Sequence, residues 1–235
     1  LGGQRHRLIA CIETGIAFDI IAVTGVAPEA RQTIDLNKSR SMGDMVDIDG
    51  SVGIDGITAA ATIRALHRIR SRGGVSALPA EWDAEMDPTD AHDVIRAIAA
   101  ESQLIQAGLA ATKQIPTKWI GRGSAAAMWI EFSRAATEKD ANEFWDAVAT
   151  GAGLDRDDVR LALRNRFATV AEVGYRSGSG LRSAELRERI VIRSWNRWME
   201  GKPAVRRGGV PAVQLGRNDL EAGSCYPVIC GVAAS

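Results

Sequence analysis

Apolar residues recur at helical spacing along most of this chain. Val94, Ile95, Ile98, Leu104, Ile105 and Leu109 follow a 3–4 residue rhythm to about Thr112, as two helices or one bent helix. Met128, Trp129 and Phe132 mark a helix over 124–135; Phe144, Trp145 and Val148 mark the next, which Thr137 caps. Val159, Leu161, Leu163 and Phe167 mark another, capped by Asp155. Leu186, Ile190, Trp195 and Trp198 mark a last helix, from Ser183 to about Glu200. Asp87, with Pro88 behind it, reads as a helix start.

The first third is different. An apolar helix face follows Arg7, and Phe18–Val23 reads as a buried strand. Pro28–Ile34 suits a short helix, and Ser41, with Asp44 three residues on, caps another. Asp55 to Arg70 is strongly helical. The glycine pair at 73–74 and the loop-like 73–86, with Trp82 as its anchor, give the best internal boundary. The expectation is an α+β chain, mostly α: a small N-terminal α/β portion (1–73), an antiparallel all-helical domain (87–205) and an irregular tail (206–235).

The 235 residues are 46% hydrophobic and 25% charged, an ordinary globular composition, with zero formal net charge. The charge is uneven. Residues 73–160 hold 8 Lys/Arg against 15 Asp/Glu, whereas 161–217 hold 12 against 4. Either these blocks pair internally or the basic one faces nucleic acid. Three cysteines and three histidines give neither a disulfide framework nor a metal-ligand pattern. No apolar run approaches the ~20 residues of a membrane span, so the default expectation is a cytoplasmic protein without a membrane partner.

Four features bear on chemistry. Gly3, Gln4, Arg5, His6 and Arg7 form a glycine turn with basic residues at a helix start. Unpaired N–H groups and the helix dipole favour an anion at such a place. Lys38 and Arg40 precede a second helix start. Ile57, Ala61, Arg64, Arg68 and Arg72 share one ridge of their helix, with the arginines about 5–6 Å apart. That stripe suits nucleic-acid phosphates, or it is a solvated face. The final helix carries Arg193 and Arg197 beside tryptophans, a pairing that serves nucleic acid or simply a core. P-loop, nucleophile-elbow and zinc motifs are absent from the sequence.

His6-Arg7-Leu8 with Ala10 resembles the Gly-x-His-Arg segment of the ParB/sulfiredoxin-like superfamily, in its phage and bacterial Asp-Gly-Gln-His-Arg branch. The similarity continues through Ala22–Val26 and Thr33–Ser41, and in helical layout to about residue 205. Aligned from Arg7, the family's Asp falls on Gly3 and its Gly on Gln4, so the motif lacks its acidic residue. The family places strands before the motif, so the expected α/β portion is a remnant incomplete at its N-terminus. The resemblance implies CTP binding and, in some members, nuclease activity; a nucleotide hydrolase or nuclease rests on it alone.

The leading expectation is thus a ParB-like, nucleic-acid-associated protein. A nucleotide or backbone phosphate would bind at Gly3–Arg7, Lys38 and Arg40. Double-stranded DNA would lie on Arg64, Arg68, Arg72, Arg193 and Arg197. The alternative is a non-enzymatic helical interaction or assembly protein, phage-derived, whose acidic and basic surfaces pair in a homo-oligomer. A sulfiredoxin-type enzyme needs a reactive cysteine at the motif, and Cys11 lies within the helix rather than at its start.

Overall fold

The computed structural model describes residues 9–17, 24–25, 41–49, 55–72, 87–173, 184–204 and 226–231, with side chains left aside at 170–173. The chain divides into two compact units, Leu1–Lys38 and Ser39–Ser235. In the first, residues 9–14 are helical, and Thr14 Oγ1 donates to the Ala10 carbonyl at 2.7 Å. The expected strand Phe18–Val23 and the short helix Pro28–Ile34 lie outside the described residues. Among the described residues the protein is mostly helical and no strand occurs.

The second unit holds α1 (Met42–Asp49), α2 (Gly56–Ser71), α3 (Ala91–Ala111), α4 (Arg122–Ala135), α5 (Glu138–Thr150), α6 (Val159–Val173) and α7 (Ala184–Met199). Local chemistry sets their starts. Ser41 and Asp44 form the expected capping box: Ser41 N donates to the Asp44 carboxylate at 2.8 Å, and Asp44 N to Ser41 Oγ at 3.2 Å. Asp55 accepts from Thr58 N at the start of α2, and Thr137 from Asp140 N at the start of α5. Two expected caps move. Asp87 folds into a turn on Thr89, and Asp90 instead accepts from the backbone of His92 and Asp93. Ahead of α6, Asp158 rather than Asp155 accepts from Arg160 N, at 2.7 Å. In both places a later acid lies nearer the open N–H groups of the first turn.

Helix α4 is the axis of the unit. Its residues from Gly123 to Phe132 are all buried, and α2, α3, α5 and α7 pack around it. A helix buried on every side is a core helix. Its run Ala125-Ala126-Ala127 lets neighbours approach closely, while Met128, Trp129, Ile130 and Phe132 fill the layers between them. Phe132 stacks on Trp195 of α7 at 4.2 Å between centroids and meets Phe144 of α5 edge-on at 5.6 Å. Burying a side chain such as Phe132 stabilises by about 1.5–3 kcal/mol. The stretches on either side of 73–86 therefore share one core, since Ile63, Leu66 and Ile69 cluster with Ile98, Phe132 and Trp195. The division of the chain falls at Lys38/Ser39 instead.

A charged group also sits in that core. Arg70 of α2, its side chain fully buried, donates to Glu131 of α4 at 2.6 Å and to Glu101 of α3 at 3.2 Å. Arg134 joins the same two carboxylates at 3.4 and 3.1 Å. Burial pushes the Glu131 carboxyl up, and the Arg70 guanidinium opposes that only in part.

Part of the expected irregular tail is docked. Tyr226 and Ile229 are buried, and Tyr226 N donates to the Arg72 carbonyl at 2.9 Å. Asn196 of α7 clamps the segment by its backbone: its amide donates to Val228 O at 2.7 Å and accepts from Cys230 N at 2.8 Å. Trp195 Nε1 donates to Cys230 O at 2.8 Å.

Candidate functional site

Where α2 meets the start of α4 the surface opens into a cleft of about 370 Å³. That volume is within the range that takes small ligands. One wall is the ridge read from the sequence, with Ile57, Ala61, Arg64 and Arg68. The other is the segment Gly121-Arg122-Gly123-Ser124. Gly123 makes the meeting possible. A Cβ there would lie 2.7 Å from the backbone of Ala61 and Thr62, so only glycine lets α4 begin against α2.

The start of α4 is open. Its N-cap is Gly121, which offers no side-chain acceptor to the first-turn N–H groups. The positive end of the helix dipole lies at the cleft, with the Glu188 carboxylate of α7 held behind it by Ser124. Arg122 is exposed at that end, and Arg64 is exposed across from it, with Nε 3.3 Å from the Pro88 carbonyl.

Arg68 forms the inner wall. Its Nη2 donates to Glu188 Oε1 of α7 at 2.7 Å. Its Nε is buried without an acceptor. Burial opposes the Arg68 charge, but the Glu188 carboxylate outweighs it and pushes the guanidinium's pKa up. Glu188 is fully buried and accepts twice more, from Ser124 Oγ at 2.6 Å and from the Tyr226 hydroxyl at 2.5 Å. Burial, with the Glu188 carboxylate, pushes the Tyr226 hydroxyl up, so it remains a neutral donor. The cleft thus combines three guanidinium groups with an open helix start, above one buried carboxylate. Such a site suits a compact, multiply charged oxyanion.

The expected site residues fare unevenly. Gly3, Gln4, Arg5, His6, Arg7, Lys38 and Arg40 lie outside the described residues. Arg64 and Arg68 come together in the cleft. Arg72, on the same ridge, pairs instead with Glu185 of α7 at 2.7 Å. Arg197 donates to the Pro203 carbonyl from Nε at 3.2 Å and from Nη2 at 2.5 Å. Arg193 is half-buried on α7, and neither it nor Arg197 lines the cleft. Arg122, Gly123 and Glu188 were not foreseen. Gly121-Arg122-Gly123 repeats the glycine-and-arginine signature singled out at Gly3–Arg7, so the sequence carried a signal for it. Among the described residues no group of His, Cys, Asp and Glu is arranged to hold a metal ion. No helix among them is long and apolar enough to cross a membrane.

Compared with protein-family models, curated proteins and solved structures, the chain matches none.

Proposed function

We propose that this protein binds the phosphate groups of a nucleotide in the cleft between α2 and α4. The observation that carries this reading is the lining of the cleft: Arg64, Arg68 and Arg122 stand on its walls together with the start of α4, whose N-cap Gly121 offers no side-chain acceptor. A phosphate group accepts charge-assisted hydrogen bonds from guanidinium groups and from the open N–H groups of a first helical turn. Ile57 and Ala61 give the cleft an apolar flank against which a sugar or base can lie. The ParB-like resemblance points the same way, with CTP as the nucleotide it suggests. A DNA backbone is the less favoured form of this reading, because Arg72, the third arginine of the ridge, is paired with Glu185.

The test is calorimetric titration of the full chain with CTP and with inorganic pyrophosphate. The unaltered chain binds at least one of them. Arg122→Ala, an exposed residue with no core role, weakens that binding about 10-fold or more, as expected for a hydrogen bond to a charged group. Failure to bind either probe, or an Arg122→Ala chain that binds as well as the original, sinks the proposal.

A helical interaction protein remains the second reading, favoured by the exposed apolar side chains Ile9 and Ile12 on the helical stretch 9–14. Sedimentation of the chain and of Ile12→Asp tests it: an oligomer that the substitution disperses supports it.

A further inference from the structure

The carboxylate behind the cleft is shared with the docked C-terminal segment. Glu188 Oε1 receives Arg68 and Ser124, and Oε2 receives the Tyr226 hydroxyl. Tyr226 is the first described residue of the segment that Asn196 and Trp195 hold by its backbone. Its ring lies under the Arg189 guanidinium at 5.3 Å. The far end, Gly231, passes so close to the Ala135 carbonyl that no side chain fits there. One hydrogen-bonded chain therefore runs from the segment, through Glu188 and Arg68, to the cleft.

We infer that Tyr226 is a positioning residue for the cleft, and that docking of residues 226–231 on α7 raises the affinity of the cleft for its anion. The inference rests on the anion-binding reading given above.

The physical reason is competition for Arg68. With the segment docked, Tyr226 satisfies Oε2, so Arg68 needs to give Glu188 only Nη2. The rest of its guanidinium stays on the wall of the cleft. With the segment released, Oε2 becomes a buried charged oxygen without a donor, which is costly. The nearest remedy is Arg68 itself. A guanidinium readily presents two parallel N–H groups to one carboxylate. Turning Nε onto Glu188 would supply the missing donor and withdraw the inner wall of the cleft. The two sites are then linked, and linkage is reciprocal: an anion bound to Arg68 favours the docked segment.

Release of this segment is a local event. Of the six described residues only Tyr226 and Ile229 are buried hydrophobics, Val228 is 52% exposed, and the rest of the grip is a few hydrogen bonds, from Trp195 and Asn196 of α7 and from Tyr226 N to the Arg72 carbonyl, with Arg189 over the Tyr226 ring. Short segments with few buried contacts open at far lower cost than the core.

The experiment uses two variants and two readouts. Tyr226→Phe keeps the ring and removes the hydroxyl. Asn196→Ala loosens the segment without touching Glu188. Both are titrated with inorganic pyrophosphate, beside Arg122→Ala as the control for the cleft. Separately, Cys230 is made the sole thiol by Cys11→Ser and Cys225→Ser, and its alkylation rate is followed with and without pyrophosphate. We expect Tyr226→Phe and Asn196→Ala each to bind about 5- to 10-fold more weakly, in the usual range of coupling between sites. We also expect pyrophosphate to slow Cys230 alkylation, and this protection to vanish on adding Tyr226→Phe. If both variants bind like the original chain while Arg122→Ala does not, the coupling is wrong and the anion site stands. Cys230 alkylation indifferent to saturating pyrophosphate overturns the coupling as well. If the original chain binds no pyrophosphate, the anion site and the coupling fall together.

Discussion

At the scale of single residues, the most exacting position is Arg70. It neutralises two buried carboxylates from two other helices, Glu101 and Glu131. Without it the two carboxylates keep only the partly exposed Arg134, and breaking a buried ion pair costs up to about 3–5 kcal/mol. Arg70→Met should therefore lower the urea midpoint substantially, and the loss should depend on pH. Glu131 already has a raised pKa in the folded chain. A group of that kind favours folding fully below its unfolded pKa, and the benefit disappears as pH rises through the folded pKa. Without Arg70 the folded pKa rises further, so the penalty for ionising Glu131 grows towards neutral and alkaline pH. Midpoints of Arg70→Met and the original chain should thus differ less at pH 4.5 than at pH 8. Adding Glu131→Gln should recover part of the loss at pH 8. Equal losses at both pH values would mean that packing, rather than the Glu131 charge, explains the effect.

At the scale of elements, the meeting of α2 and α4 is set by the absence of a side chain. Gly123→Ala puts a methyl group 2.7 Å from the Ala61 and Thr62 backbone, which cannot yield as a flexible side chain would. Overpacking of this kind costs about 1–3 kcal/mol, more than the ~0.5–1 kcal/mol that alanine contributes over glycine within a helix. Urea unfolding should show net destabilisation, and pyrophosphate binding should fall because the open start of α4 moves off Arg68. Gly121→Ala is the comparison, since nothing lies within 4 Å of a Cβ there; its stability should change far less. If the two alanine variants are equally stable, the close crossing is not what places the site. This crossing also marks how far the sequence could be read. Periodicity and capping residues located most helices of the second unit, because 3.6-residue spacing and N-cap chemistry are local. The ridge Ile57, Ala61, Arg64, Arg68 followed from helix geometry alone. Which wall stands opposite it did not, because that depends on the tertiary contact of Gly123 with Ala61, residues far apart in the chain. The partners of Arg68 and Arg72 were invisible for the same reason: α2 offers no acid at matching positions, and Glu188 and Glu185 arrive from α7. Tyr226, placed in an irregular tail for want of any periodicity, is held by side chains reading its backbone, which leaves no pattern in the sequence.

At the scale of the whole molecule, folding redistributes the charge that is segregated along the chain. The basic block 161–217 contributes Glu185 and Glu188, which pair with arginines of α2. The acidic block contributes Glu101 and Glu131, which neutralise Arg70. The formal net charge is zero, so long-range attraction of a polyanion is weak and any DNA binding depends on the few arginines left open. The salt dependence counts them. Each phosphate neutralised contributes about −0.9 to the slope of log affinity against log salt. If Arg64, Arg68, Arg72, Arg193 and Arg197 all met a duplex, raising salt from about 50 to about 200 mM would weaken binding roughly 500-fold. With Arg72 paired to Glu185, Arg197 turned onto Pro203 and Arg193 half-buried away from the cleft, the set at the cleft is Arg64, in part Arg68, and the added Arg122. Two or three phosphates then give only about a 10- to 40-fold loss over the same range. Fluorescence anisotropy with a short duplex measures this directly. Arg64→Ala should make the slope shallower by about one unit, whereas Arg72→Ala should leave it unchanged. A slope near −4.5, reduced by Arg72→Ala, would mean that the ion pairs to α7 open on DNA and that the ridge acts as a continuous backbone-binding stripe.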